Sequence, residues 1–173
     1  MYGQTKGSLG LSLPEVLSER HDISSFDCGT PELTDWLQRY DHQSATSTRT
    51  LIIHRSNLVL GYYSLCASSV ELKNAPARVA KGQARYPLPV VLLARLAVDK
   101  TLQRQGVGSS LLQDAVKRYL LIVENLGSRA LLVHAKDETA AQFYRKWGFE
   151  PSPITPLHMY LLSKDARKTL SMS

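Results

Sequence analysis

The segment Gln103-Arg104-Gln105-Gly106-Val107-Gly108-Ser109 lies between an apolar run, Val90 to Val98, and an amphipathic run that begins near Gly106. Its glycines let the main chain approach a ligand with no Cβ in the way. The first-turn amides of the helix that follows have no partner within that helix, and the positive end of its dipole lies there. Such a junction seats an anion, and a pyrophosphate is of the right size and charge. The spacing Q-x-x-G-x-G is neither a dinucleotide fingerprint nor a P-loop. By itself, a G-x-G at a strand–loop–helix junction is equally a device of turn geometry. The amides of Arg104 to Ser109 are the candidate donors. Gln103 is an accessory, and the Arg104 guanidinium offers a charge-assisted contact.

A second set of residues is basic. Arg78, Lys81 and Arg85 fall in the Pro-containing stretch Lys73 to Pro89, and Arg95 interrupts the apolar strand. Arg49 and Lys146 are weaker members. Arg85-Tyr86 joins a guanidinium to an aromatic ring, a pairing that suits the end of a single-stranded nucleic acid. A charge such as Arg95 between apolar neighbours must be paired or face a cleft. No general base declares itself: His134 reads as a hydrogen-bonded core residue within an apolar strand, and His42 and His54 stand outside any motif.

These residues require elements to hold them. Thr30-Pro31 starts a helix, a hydroxyl cap followed by a proline whose missing N–H costs nothing. Leu33, Trp36, Leu37 and Tyr40 mark its inner face. Arg49 to Arg55 and Leu58 to Val70 read as partner strands about the turn Ser56-Asn57. Lys73 to Pro89 reads as a long ordered loop with at most one helical turn. A strand over Val90 to Val98 and a helix from about Gly106 to Glu124 follow, the helix with a stripe of Leu111, Leu112, Ala115, Tyr119, Ile122 and Val123. A strand over Ala130 to Ala135, a helix over Ala140 to Trp147 and a last strand near Leu157 to Leu162 complete a mixed α/β layer fold. Asp137 caps the last helix, and Phe143 and Trp147 are core.

Five segments carry a family likeness. The Q-x-x-G-x-G loop and the later Phe143-Tyr144-Arg145-Lys146-Trp147-Gly148-Phe149 resemble the GNAT superfamily of acetyl-CoA-dependent N-acetyltransferases. Phe26-Asp27-Cys28-Gly29, Gly61-Tyr62-Tyr63 and Arg95-Leu96-Ala97-Val98-Asp99 narrow the resemblance to the GNAT toxins of toxin–antitoxin pairs, which acetylate the amino acid on charged tRNA. The resemblance spans roughly residues 21 to 153. It implies a single-domain GNAT fold whose mixed central sheet is flanked by helices and splays between the strands ending near Val98 and Ala135. It implies that acetyl-CoA lays its pantetheine arm along Leu96, Ala97 and Val98 and its pyrophosphate on Gln103 to Ser109. Tyr144 then protonates the departing thiolate, and Arg78, Lys81, Arg85 and Arg95 hold tRNA. A ribbon-helix-helix antitoxin is the implied partner, and whether the active form is a homodimer stays open. Ala94 stands where the family usually has Gly before the arginine.

The bulk properties agree. At 173 residues the chain is read as one domain, with a core over about 9–163 and polar, mobile ends. Lys+Arg of 21 against Asp+Glu of 15 leaves a net charge of +6, which suits an anionic cofactor and an anionic macromolecule. No apolar run approaches bilayer length, and the first residues lack the apolar centre of a secretory signal. Cys28 and Cys66 make no metal or redox spacing, so inert thiols, a cytoplasmic setting and no metal are expected. Two rivals stay open: acetylation of a small amine or protein N-terminus, and a nucleic-acid-binding regulatory subunit without catalysis.

Overall fold

The computed structural model describes residues 8–39, 46–84 and 86–173. Its elements are β1 (Glu15–Val16), α1 (Pro31–Arg39), β2 (Arg49–Arg55), β3 (Leu58–Val70), α2 (Ala77–Ala80), β4 (Leu88–Val98), α3 (Val107–Asn125), β5 (Ala130–His134), α4 (Glu138–Arg145), β6 (Glu150–Pro151), β7 (His158–Leu161) and α5 (Ser163–Met172). Among the described residues, hydrogen bonding orders the strands β1-β2-β3-β4-β5-β7-β6. The chain forms two compact units, one from Met1–Leu65 with Arg95–Asp114, the other from Cys66–Ala94 with Ala115–Ser173.

In the first unit β1, β2 and β3 are antiparallel, and a register shift at Ile53/His54 marks an irregularity in the β2–β3 ladder. Phe26, Cys28, Leu37, Ile52, Val59, Tyr62 and Ala97 form its core. Each large apolar side chain buried there contributes roughly 1.5–3 kcal/mol. Leu37 is the fully buried residue of α1, and Trp36 on the same helix stacks on Tyr62, with ring centroids 5.8 Å apart. The Tyr62 hydroxyl donates to Leu33 O at 2.6 Å, so the helix is tied to the strand at both its apolar and its polar edge.

In the second unit β4 and β5 run parallel, in register from Val90↔Ala130 to Leu93↔Val133. β7 is antiparallel to β5 and to β6. Ala75, Val79, Leu88, Val90, Ala130, Leu132, Tyr160 and Leu162 pack on one face. The pairing of β4 with β5 ends at Leu93↔Val133, whereas β4 itself continues to Val98.

Two segments differ from the sequence reading. The tail expected to be mobile is helix α5, with Ala166 buried and the Thr169 hydroxyl donating to Trp147 O at 2.9 Å. Its contact face is too short and too polar to register as a stripe. The Lys73–Pro89 stretch carries a 3-10 turn at Leu72–Asn74 and the single turn α2. Arg129 holds it from below, donating Nε to Val79 O at 2.7 Å and a terminal nitrogen to Arg78 O at 3.0 Å.

Tyr119 lies fully buried on α3, and its hydroxyl meets no hydrogen-bond partner among the described residues. Burial pushes its phenol up to about 12, against a smaller opposing effect of Arg129 and Arg167. A buried hydroxyl without a partner costs about 1–3 kcal/mol. Tyr119→Phe should therefore leave stability unchanged or raise it by about 1 kcal/mol; a loss of that size in urea denaturation would show the hydroxyl to be satisfied.

Candidate anion-binding loop and acyl-transfer residues

The loop that joins β4 to α3 has an unusual backbone. Arg104 adopts φ 63° and Gly106 φ 80°, two left-handed residues separated by one. Left-handed residues interspersed in this way turn successive N–H groups toward one side and make a concave anion-binding nest. Glycine accepts that conformation freely, but arginine does so at a cost of about 1 kcal/mol or more. The first bond reaching into the helix is Ser110 N to Gly106 O at 3.1 Å, so the amides of Val107, Gly108 and Ser109 precede it. A Cβ on Gly106 would meet nothing within 4 Å, and one on Gly108 only Val98 at 3.9 Å. The surface above both glycines is open, as close approach of a ligand requires.

A loop with so few internal bonds is held from outside. Buried Asp99 accepts from Thr101 N (3.0 Å), Thr101 Oγ1 (2.8 Å) and Asp27 N (3.0 Å). Its own N–H donates to Leu60 O at 2.9 Å. Lys100 N donates to Asp27 O, and its Nζ pairs with the Asp27 carboxylate at 2.7 Å. The Lys100 hydrogen bond, then Gly29 N–H, keep that carboxyl below its usual range. The amide nitrogen of Gln103 is engaged twice here: Nε2 donates to Cys28 O at 2.7 Å and to Val98 O at 2.9 Å. Gln103 is therefore a brace that joins Phe26–Gly29 to the loop, and the Val98 carbonyl already has one partner. Gln105 Nε2 donates back to Thr101 O at 3.3 Å, and the loop position of Arg104 leaves it mostly exposed. Leu96 and Val98 are half-buried and Ala97 is core.

Arg95 answers the question its sequence position raised. Its guanidinium carbon lies 4.0 Å from the centroid of the Trp36 ring. A cation over an indole face gains about 0.5–2 kcal/mol, depending on desolvation. Arg95 and Tyr62 thus both stack on Trp36 in the first unit.

In the second unit Tyr144 is buried on α4, edge-on to Phe143 and Phe149 with centroids 5.1 and 5.4 Å away. Burial pushes its phenol far above the ordinary range, so it stays protonated. Asp137 caps α4 as expected, accepting from Ala140 N at 2.8 Å. Phe143 and Trp147 are only half-buried. Arg78 is bound up in ion pairs with Glu150 and Asp165, which raise its pKa in that order, so its charge is locally neutralised. Lys81 is exposed just after α2, Arg49 is exposed at the start of β2, and Lys146 is exposed after α4. Arg85 lies outside the described residues. His134 differs from its reading as a core residue: it ends β5, is exposed, and stacks on His158 with centroids 3.8 Å apart.

Among the described residues Glu15, His21 and His54 bring three potential ligand atoms within 4.8 Å of one another. Proton positions decide what they do. Ser18 N donates to His21 Nδ1 at 3.0 Å and Asn57 N donates to His54 Nδ1 at 3.1 Å. With both Nδ1 atoms acting as acceptors, each neutral ring carries its proton on Nε2. Those protons point at Glu15 Oε1, 2.7 and 3.2 Å away, and Arg20 joins the same oxygen. The cluster is a hydrogen-bonded clip between β1 and β2, with no nitrogen lone pair to offer a cation.

The strand–loop–helix junction on a mixed α/β sheet suits an anionic ligand. The model of the acetyltransferase (GNAT) domain matches residues 47–151, and this chain belongs to the GNAT acetyltransferase family. A tRNA-acetylating toxin of Mycobacterium tuberculosis is 42% identical over 161 residues, covering 91% of this chain and 96% of that protein. Among solved structures, AtaT complexed with acetyl-methionyl-tRNAfMet superposes with a TM-score of 0.84 at 29% identity, over 91% of this chain and 98% of that one. A Tyr→Phe mutant of AtaT, bound to acetyl-CoA and the C-terminus of the antitoxin AtaR, gives 0.77 at 29% identity, over 91% and 96%.

The brace makes its own prediction. Asp99→Ala removes the acceptor for three donors and should cost about 2 kcal/mol in urea denaturation. A change below about 0.5 kcal/mol, the size of an ordinary surface substitution, would mean that the loop is held by something else.

Proposed function

We propose that this protein transfers the acetyl group of acetyl-CoA to the α-amino group of aminoacyl-tRNA, acting in the cytoplasm as a toxin that withdraws charged tRNA from translation. The observation that carries the reading is the 42% identity to a tRNA-acetylating toxin across nearly the whole chain, with the loop of left-handed Arg104 and Gly106 intact. The amides of Gln105 to Ser109 hold the pyrophosphate, helped by the dipole of α3. The main chain of Leu96 to Val98 accompanies the pantetheine arm. The amine attacks the thioester carbonyl, and Tyr144, always protonated, donates to the sulfur as the carbon–sulfur bond breaks. Arg95 and Lys81, with Arg85, meet the phosphates of the acceptor end. Arg78, already paired with two carboxylates, contributes to the position of α2 instead. A ribbon-helix-helix antitoxin with an acidic, partly apolar tail covers the basic surface.

The two loop glycines do different work, and one variant separates them. Gly108 has ordinary helical space around it, so Gly108→Ala should fold as well as the parent or better. Its new methyl occupies the surface where the phosphate lies, so the rise in melting temperature produced by acetyl-CoA should shrink or vanish. An unchanged rise would remove the loop from the cofactor site.

The substrate and the acid are tested together. Labelled acetyl-CoA should mark aminoacyl-tRNA and leave deacylated tRNA blank, with the rate falling as salt rises because phosphate contacts are lost. Tyr144→Phe should retain acetyl-CoA binding and lose about 10²–10⁴-fold in turnover. Label on polyamines or proteins alone would move the reading to another amine, and parent-like turnover would return Tyr144 to the core.

A further inference from the structure

Tyr144 acts from wherever the end of α4 holds it, and that helix is short. α4 spans 8 residues, Glu138–Arg145, which puts Tyr144 in its last turn. Gly148, left-handed at φ 93°, turns the chain out of the helix. Phe149 N donates to Tyr144 O at 3.4 Å and Gly148 N to Arg145 O at 3.0 Å, the two bonds of a Schellman motif. The contact of the Tyr144 and Phe149 rings supplies its apolar part. Trp147 N also donates to Tyr144 O, at 3.0 Å. Tyr144 is thus tied to this turn by its main chain and by its ring. The last carbonyls of a helix have no partner within it. For the carbonyl of Trp147 the partner comes from α5, where Thr169 Oγ1 donates to it at 2.9 Å.

α5 fits this turn closely. Leu162, Asp165, Ala166 and Thr169 recur at helical spacing, so they share one face, and Leu162 and Ala166 are buried. A Cβ on Gly148 would lie 3.4 Å from Leu161, 3.5 Å from Thr169 Oγ1 and 3.7 Å from Asp165 Cβ. β7 and α5 therefore both bear on the turn. Asp165, in the first turn of α5, pairs with Arg78 at 3.0 Å, and Arg78 pairs in turn with Glu150, the residue after Phe149. α5 is thereby anchored by an ion pair at its start and meets the end of α4 one turn later. All of these residues belong to the second unit. We propose that Thr169 is a positioning residue for Tyr144: by holding the Trp147 carbonyl it fixes the last turn of α4, and with it the place of the phenol during acetyl transfer. The proposal deepens the reading of Tyr144 as the acid and rests on it. An acid must lie within about 2.6–3.2 Å of the atom it protonates, so small displacements of its helix are felt in the rate.

The test measures the single-turnover rate of aminoacyl-tRNA acetylation for the parent, Thr169→Val, Thr169→Ser, Tyr144→Phe and Thr169→Val combined with Tyr144→Phe. Valine keeps the shape of threonine and removes the donor, whereas serine keeps the donor. Thermal melting sets an assay temperature at which every variant is folded. Thr169→Val should lose about 10-fold in rate, with the half-saturating concentration of acetyl-CoA unchanged, and Thr169→Ser should restore most of it. In the Tyr144→Phe background Thr169→Val should cost nothing further, because a residue that acts through the phenol has nothing left to position. Three results would each overturn the proposal: Thr169→Val at the parent's rate, a loss that Thr169→Ser shares, or the same loss with and without the phenol. Parent-like turnover by Tyr144→Phe would instead overturn the acid reading, and the positioning role with it.

Discussion

A loop that keeps its amides available for a ligand gives up the hydrogen bonds that would otherwise hold it. The Asp99 carboxylate supplies the compensation in this protein. From one buried position it fixes the turn after β4 through Thr101 and anchors the strand-to-helix segment to Asp27. Gln103 completes the brace from the other side. The cost of a left-handed arginine is met by these bonds, and the nest persists because the residues before it cannot move. The chemistry of the Q-x-x-G-x-G loop thus depends on a segment more than seventy positions earlier in the chain, Phe26 to Gly29.

The charges follow a similar division between those held and those offered. The net excess of six positive charges suggests a wide basic surface, yet the arginines are not equivalent. Arg78 is bound by two carboxylates, and Arg129 donates to backbone carbonyls under α2. Both organise the loop between β3 and β4. Arg95 is half-buried and lies on Trp36, where an aromatic face orients the cation.

Most of the elements were legible in the sequence because they rest on local signals. Thr30-Pro31, Ser56-Asn57, the loop glycines and Asp137 mark starts and turns through backbone geometry that each residue type imposes within a few positions. The strands Arg49–Arg55 and Leu58–Val70 read correctly to the residue. The tail and His134 did not. Helix α5 is stabilised by Ala166 and Thr169 meeting groups distant in the chain, and its own composition is that of a solvated end. His134 has apolar neighbours on one side only, and a histidine at the last position of a strand is indistinguishable in sequence from one within it.

The sequence alone therefore determined the family, most of the order of α and β elements, and a glycine-spaced strand–loop–helix junction at Gly106 and Gly108. All of these depend on spacing along the chain. The tertiary structure decided which polar side chains are free to act. It assigned Gln103 to bracing, Arg78 to ion pairs, Glu15 with His21 and His54 to a clip, and left His134 exposed at the end of β5. A side chain's availability is set by the partners that folding brings to it, and those partners lie too far away in sequence to be read from its neighbours.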